Sequence, residues 1–140
     1  MAPMADELLG ALRRAGELDD VDWHLAQWLL RAGAGEVTAL AGAVASRAAR
    51  HGQLFVDLTR LRGPVQAPTG SALDGRSWPD WGGLSDDALV AIDPSERPVQ
   101  VPLVLRGQRL YLARWDAHEQ HVGERMRDLA QSAGVERVDD

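Results

Sequence analysis

The stretch from Val101 to Ala113 leaves this chain few choices of fold. Two short apolar runs, Pro102 to Leu105 and Leu110 to Ala113, flank Arg106-Gly107-Gln108-Arg109. Such a pattern predicts a β-hairpin with Gly107-Gln108 as the central pair of a type II′ turn, whose first residue needs φ > 0. Leu105 would then face Leu110 and Leu103 would face Leu112 on one side, with Val104 and Tyr111 sharing the other. Two strands alone are marginal in water, so the segments upstream of Val101 are expected to cover the apolar face.

Those segments begin with helices. Ala5, Leu8, Leu9, Leu12 and Ala15 fall at helical spacing, with Asp6 and Glu7 in the first turn, Arg13 and Arg14 in the last and Gly16 beyond. A second helix starts near Asp19-Asp20, where the acidic run Asp19, Asp20 and Asp22 reads as capping and dipole chemistry, and stops at Gly33. Val21, Leu25, Trp28, Leu29 and Ala32 form the face expected to pack on the sheet. Trp23, Ala26, Gln27 and Leu30 form a second stripe. A third helix, Glu36 to Arg50, turns Val37, Leu40, Ala41, Val44 and Ala48 inward, and its small residues permit close backbone approach. His51-Gly52 ends it. Leu54, Val56 and Leu58 then alternate with polar or aromatic neighbours as a strand does, a natural third partner for the hairpin.

From Gly63 to Trp81 the chain carries three prolines and three glycines among few aliphatic residues, which predicts a long loop. Ser85 is expected to cap a short helix running to about Ile92, with Leu84 stapled onto Leu89. A last helix should start near Trp115-Asp116, with Trp115, Val122 and Leu129 one heptad apart. The fold class is therefore α+β: helices packed on a small antiparallel sheet containing the hairpin, all 140 residues forming one domain. The order helix, strand, helix, hairpin from Glu36 onward is also the layout of a winged helix, with Arg106-Gly107-Gln108-Arg109 as the wing tip.

The run PLVLRGQRLYLARW, with Glu119 and Val122 after it, resembles the end of the N-terminal domain of RecD, the alpha (helicase) subunit of exodeoxyribonuclease V. A leading LLGAL helix followed by LDDVDWHLA, and an Ala-rich helix running into HGQLFVDLTRL, fit the same family in order. That resemblance implies a place in DNA repair and recombination beside RecB- and RecC-type subunits, with RecC the partner to name. The full-length subunit it resembles is an ATP-dependent 5′-3′ DNA helicase. No Gly here is followed by Lys-Ser or Lys-Thr, and all 15 basic residues other than histidine are Arg, so a Walker A phosphate grip is absent from these residues. They correspond to the family's N-terminal domain without its motor.

Composition narrows the partner. A net charge of −6 runs against a domain whose chief task is gripping phosphates, which makes protein the expected partner and leaves DNA to be met mainly through the complex. No cysteine is present and no apolar run approaches a membrane span, which suits a cytoplasmic protein. No catalytic, cofactor-binding or metal-binding residue is expected. His118-Glu119-Gln120-His121 lacks the HExxH spacing of a zinc helix. The candidate partner-binding residues are Trp23 and Leu30, on the surplus stripe of the second helix, and Trp78 and Trp81 in the loop, because exposed Trp is a common interface anchor. The loop folding back to bury its own indoles is the alternative. Arg106, Arg109 and Arg114, near Arg60 and Arg62, are the candidates for DNA contact, as a stand-alone winged-helix DNA-binding module would use them.

Overall fold

The computed structural model describes residues 4–94 and 101–113. Three helices come first: α1 (Met4–Arg14), α2 (Asp20–Arg31) and α3 (Glu36–Arg50). Four short strands follow, β1 (Val56–Asp57), β2 (Val90–Ile92), β3 (Leu103–Arg106) and β4 (Arg109–Leu112). They form one mixed sheet in the order β1-β4-β3-β2. The helices pack on it with α3 in the middle, touching α1 and α2 as well as β4 and β1.

The hairpin has the register its sequence predicts: Leu103 opposite Leu112, Val104 opposite Tyr111, Leu105 opposite Leu110. Gly107 has φ +62° and Gln108 has no positive φ, as a type II′ turn requires. Leu103 and Leu110 belong to the helix-side core. The other face is buried too, with Val104 and Tyr111 nearly inaccessible and the Phe55 ring 5.4 Å from that of Tyr111. β1 pairs antiparallel with β4, Val56 opposite Leu110. It is shorter than the alternation from Gln53 to Leu58 predicts. The Asp57 carboxylate accepts from the backbone N–H and the hydroxyl of Thr59, and this Asx-type turn bends the chain into a 3₁₀ helix, Leu58–Arg60.

Three expectations are corrected. The segment after Ser85 is not a helix: a 3₁₀ helix covers Trp81–Asp86, capped by Asp80 accepting from Gly82 N–H, and Val90–Ile92 is strand β2. The Asp87 carboxylate takes the backbone N–H of Leu89 and also that of Gly35, which turns the chain into extended structure before a helix can propagate. β2 runs parallel to β3, so the sheet is mixed and not purely antiparallel. In the winged-helix layout a helix would stand where this 3₁₀ helix and strand lie. The third correction concerns α2. Its buried residues are Asp22, Ala26 and Leu29, while Val21 and Trp28, both expected on the inner face, are 58% and 48% exposed.

α3 is buried on nearly every side, from Thr38 to Ser46 and again at Ala48, which its run of Ala, Gly and Ser allows. Gly42 marks the closest approach: a Cβ there would collide with Cδ1 of Leu29 and stand 3.9 Å from Cδ1 of Leu103. Side chains from helix α2 and from strand β3 thus converge on α3 at the same point. The 63–81 segment closes on itself, with Val65 N–H donating to Arg76 C=O and Trp78 N–H to Gly63 C=O, each at 2.9 Å. Leu73 at its far end is buried in the core. The segment expected to form a last helix from Trp115, with Arg114 and the His118/His121 pair, lies outside the described residues.

Candidate partner-docking surface

The orientation of α2 decides what the domain shows to solvent, and a buried charge cluster sets it. The Asp22 carboxylate is inaccessible to solvent. It accepts from Nε of Arg50 at 3.1 Å to each oxygen, from the Ser46 hydroxyl at 2.6 Å and from its own helix's Asp19 N–H at 3.0 Å. Arg50 also reaches the Asp19 carboxylate at 2.9 Å. A buried carboxylate with this many donors is tolerable where an unpaired one would not be. Burial pushes the Asp22 carboxyl up, but the hydrogen bonds from Arg50, Ser46 and Asp19, with the charge of Arg50, outweigh it and hold the pKa below its ordinary value. The same pairing raises that of Arg50.

With Asp22 turned in, Val21, Leu25 and Trp28 follow one another at i, i+4 and i+7 along the flank of α2. Val21 and Trp28 are exposed, and among the described residues they are two of four exposed large hydrophobics, the others being Leu54 and Ile92. Trp23 and Leu30 lie on the opposite flank, each partly buried and packed against the core, and the Arg13 guanidinium sits 4.5 Å over the Trp23 ring.

The loop indoles have gone inward. Trp81 is 7% exposed and its Nε1–H donates to Leu61 C=O at 2.8 Å; Trp78 is partly buried, its ring 6.2 Å from that of Trp81. Trp23 and Leu30 belong to α2 and Trp78 and Trp81 to the loop, and all four are buried or partly buried. Sequence reasoning missed Val21 and Trp28 as the apolar residues α2 shows to solvent. The signal that finds them is Asp22 with Arg50: once these pair across the helices, the exposed flank follows.

At the hairpin end Arg106 and Arg109 face each other across the strands, as the register predicts. The Arg109 guanidinium lies 4.6 Å over the Phe55 ring, and Arg62 reaches the Gln108 side-chain oxygen at 3.5 Å. Arg114 lies outside the described residues. No group of three or more His, Asp or Glu among the described residues is placed to hold a metal ion, and no described helix is long and apolar enough to cross a membrane.

Compared with known families, residues 14–111 match the model of the RecBCD enzyme subunit RecD, N-terminal domain. The match takes in α2, α3, the closed loop and the hairpin through Tyr111. No curated protein and no solved structure matches the chain significantly.

Proposed function

This chain belongs to the RecD N-terminal domain family, and from that premise we propose that it is a non-catalytic docking domain that anchors a RecD-like helicase subunit to RecB- and RecC-type partners in a complex repairing double-strand breaks. The supporting observation is the exposed Val21 and Trp28 on a helix whose inner face is buried at Asp22, Ala26 and Leu29. A Trp side chain left in water on a helix flank gains most when a partner covers it. The partner to name first is the RecC-type subunit. A cytoplasmic location goes with this reading and suits a sequence with no cysteine.

The test is co-purification of this chain with RecB- and RecC-type subunits, with association expected at micromolar concentration; a failure to associate there sinks the reading. The facing Arg106 and Arg109 at the hairpin tip favour a second reading, a stand-alone winged-helix-like module touching DNA through its hairpin. Electrophoretic retention of duplex DNA that weakens steeply with salt would support that one instead.

A further inference from the structure

A groove runs along the open edge of β1, between the C-terminal half of α3 and the hairpin. At one end Leu54 and Phe55 form its wall, with Arg109 stacked on Phe55 and a cleft of about 680 Å³ in front of them. Val44, Arg47, Arg60 and Leu61 also line a second, adjoining cleft that leads to Trp78, so the two make one continuous track. Three features give it a chemistry. Leu54 is 38% exposed, an apolar side chain with solvent over it. The Arg60 side chain is 85% exposed and meets Asp57 Oδ2 only at 3.9 Å, the long end of an ion pair, while Thr59 holds the other oxygen, Oδ1. Nε of Arg47 is buried without an acceptor, while the end of that guanidinium holds Glu17 at 2.8 Å.

We infer that this groove seats an acidic segment of a protein partner, an apolar side chain resting on Leu54 and Phe55 and neighbouring carboxylates meeting Arg60 and Arg109. Charge complementarity selects the acid: three arginines stand against Glu17 and Asp57 along the track, in a chain whose net charge is −6. The apolar wall selects protein over nucleic acid, because a phosphate backbone has nothing to place on Leu54. The acidic total points the same way: a long polyanion meets the whole molecule's repulsion, whereas a short acidic segment bound in the groove feels chiefly the charges within a Debye length of about 8–10 Å. This inference rests on the docking reading and adds to it the chemistry of what is docked.

The experiment compares the full chain with Arg60→Glu/Arg109→Glu, with the milder Arg60→Gln/Arg109→Gln, and with Trp28→Ala for association with RecB- and RecC-type subunits across a salt series. Both arginines are exposed at the surface, and thermal melts check that each variant is folded. The charge-reversed pair is expected to lose at least tenfold in affinity, the glutamine pair less, and both to show a flatter salt dependence. Association weakened by Trp28→Ala but unchanged in affinity and salt slope in both arginine pairs overturns the groove and leaves docking standing. No association of the unmodified chain overturns docking and the groove together. Loss of DNA retention in the arginine pairs with partner affinity intact also overturns the inference, in favour of a nucleic-acid site.

Discussion

The two sides of α2 invert the ordinary expectation for an amphipathic helix. The side turned to α3 carries an aspartate, and the flank turned to water carries a tryptophan and a valine. What decides the orientation is pairing, not hydrophobicity taken residue by residue: Asp22 finds Arg50 and Ser46 across the helix interface, and Ala26 and Leu29 fill the space beside it. Buried Leu29 is inseparable from this choice, since it lies against the bare backbone of Gly42. A buried ion pair can thus fix helix rotation, and so select which apolar residues are left for a partner.

Removing the carboxylate should disturb the orientation of α2 most. Asp22→Ala leaves the Ser46 hydroxyl without its acceptor and takes one of two carboxylates from Arg50; since Arg50 keeps Asp19 and some contact with water, the expected loss is about 3 kcal/mol, the low end for a broken buried pair. Urea denaturation measures it, and a loss below about 1 kcal/mol would mean that the pair does not set the rotation of α2.

Acid should act on the same pair without mutation. The folded-state pKa of Asp22 lies below the unfolded value near 3.8, so its contribution is fully present above that value and is lost as pH falls through the lower folded one. Between neutrality and about pH 5 this group should leave stability unchanged, with the loss beginning below about pH 4. Asp22→Asn should flatten that part of the acid limb. Asp87, held low against burial by the N–H groups of Gly35 and Leu89, and Asp57, held low by Thr59, will add to the acid limb in both proteins, so the difference between them is the informative quantity.

Closing the helix interface from the other side is next in size. Gly42→Ala puts a methyl group against Leu29 and should cost on the order of 1–3 kcal/mol by overpacking. A neutral result would show that α2 can slide outward, and that its orientation is softer than the ion pair implies. Gly107→Val, far from α2, tests the hairpin independently: a β-branched residue at φ +62° should destabilise by about 1 kcal/mol or more, read as a lowered Tm.

The smallest stability effect belongs to the outer flank. Trp28→Ala is expected within about 0.5 kcal/mol of the unmodified chain in isolation, while weakening association with the partner subunits. If it instead lowered stability by several kcal/mol, the flank would be structural and the contrast between the two sides of α2 would collapse.

Much of this fold was legible in the residues. The hairpin register follows from period-two alternation around a glycine that suits a type II′ turn, and α1 and α3 follow from apolar spacing with acidic starts and glycine stops. The rotation of α2 was not legible, because an aspartate in a first helical turn ordinarily caps, and nothing local in Asp22 says that an arginine 28 residues later will meet it. Strand β2 was hidden for a related reason. Three residues carry little periodicity, and Ser85-Asp86-Asp87 looks like a helix start until Asp87 is seen bonded to Gly35. The groove escaped notice because Arg109 joins Arg47, Phe55 and Arg60 only when β1 pairs with β4.

The closed loop between Gly63 and Trp78 bears on how the domain tolerates change. Its ends are tied to each other by their own backbone bonds, and Leu73, with Val65, Ala67, Ala72 and Trp78 around it, packs it onto the core, which leaves the exposed tip at Pro68 to Gly70 free of core contacts. Residues inserted between Pro68 and Gly70 would add chain between points already held together. Because ring-closure entropy grows only logarithmically, doubling such a loop costs about 0.6 kcal/mol. The segment is thus the place where the protein can grow or shrink while the hairpin, α3 and the exposed flank of α2 keep their relative positions.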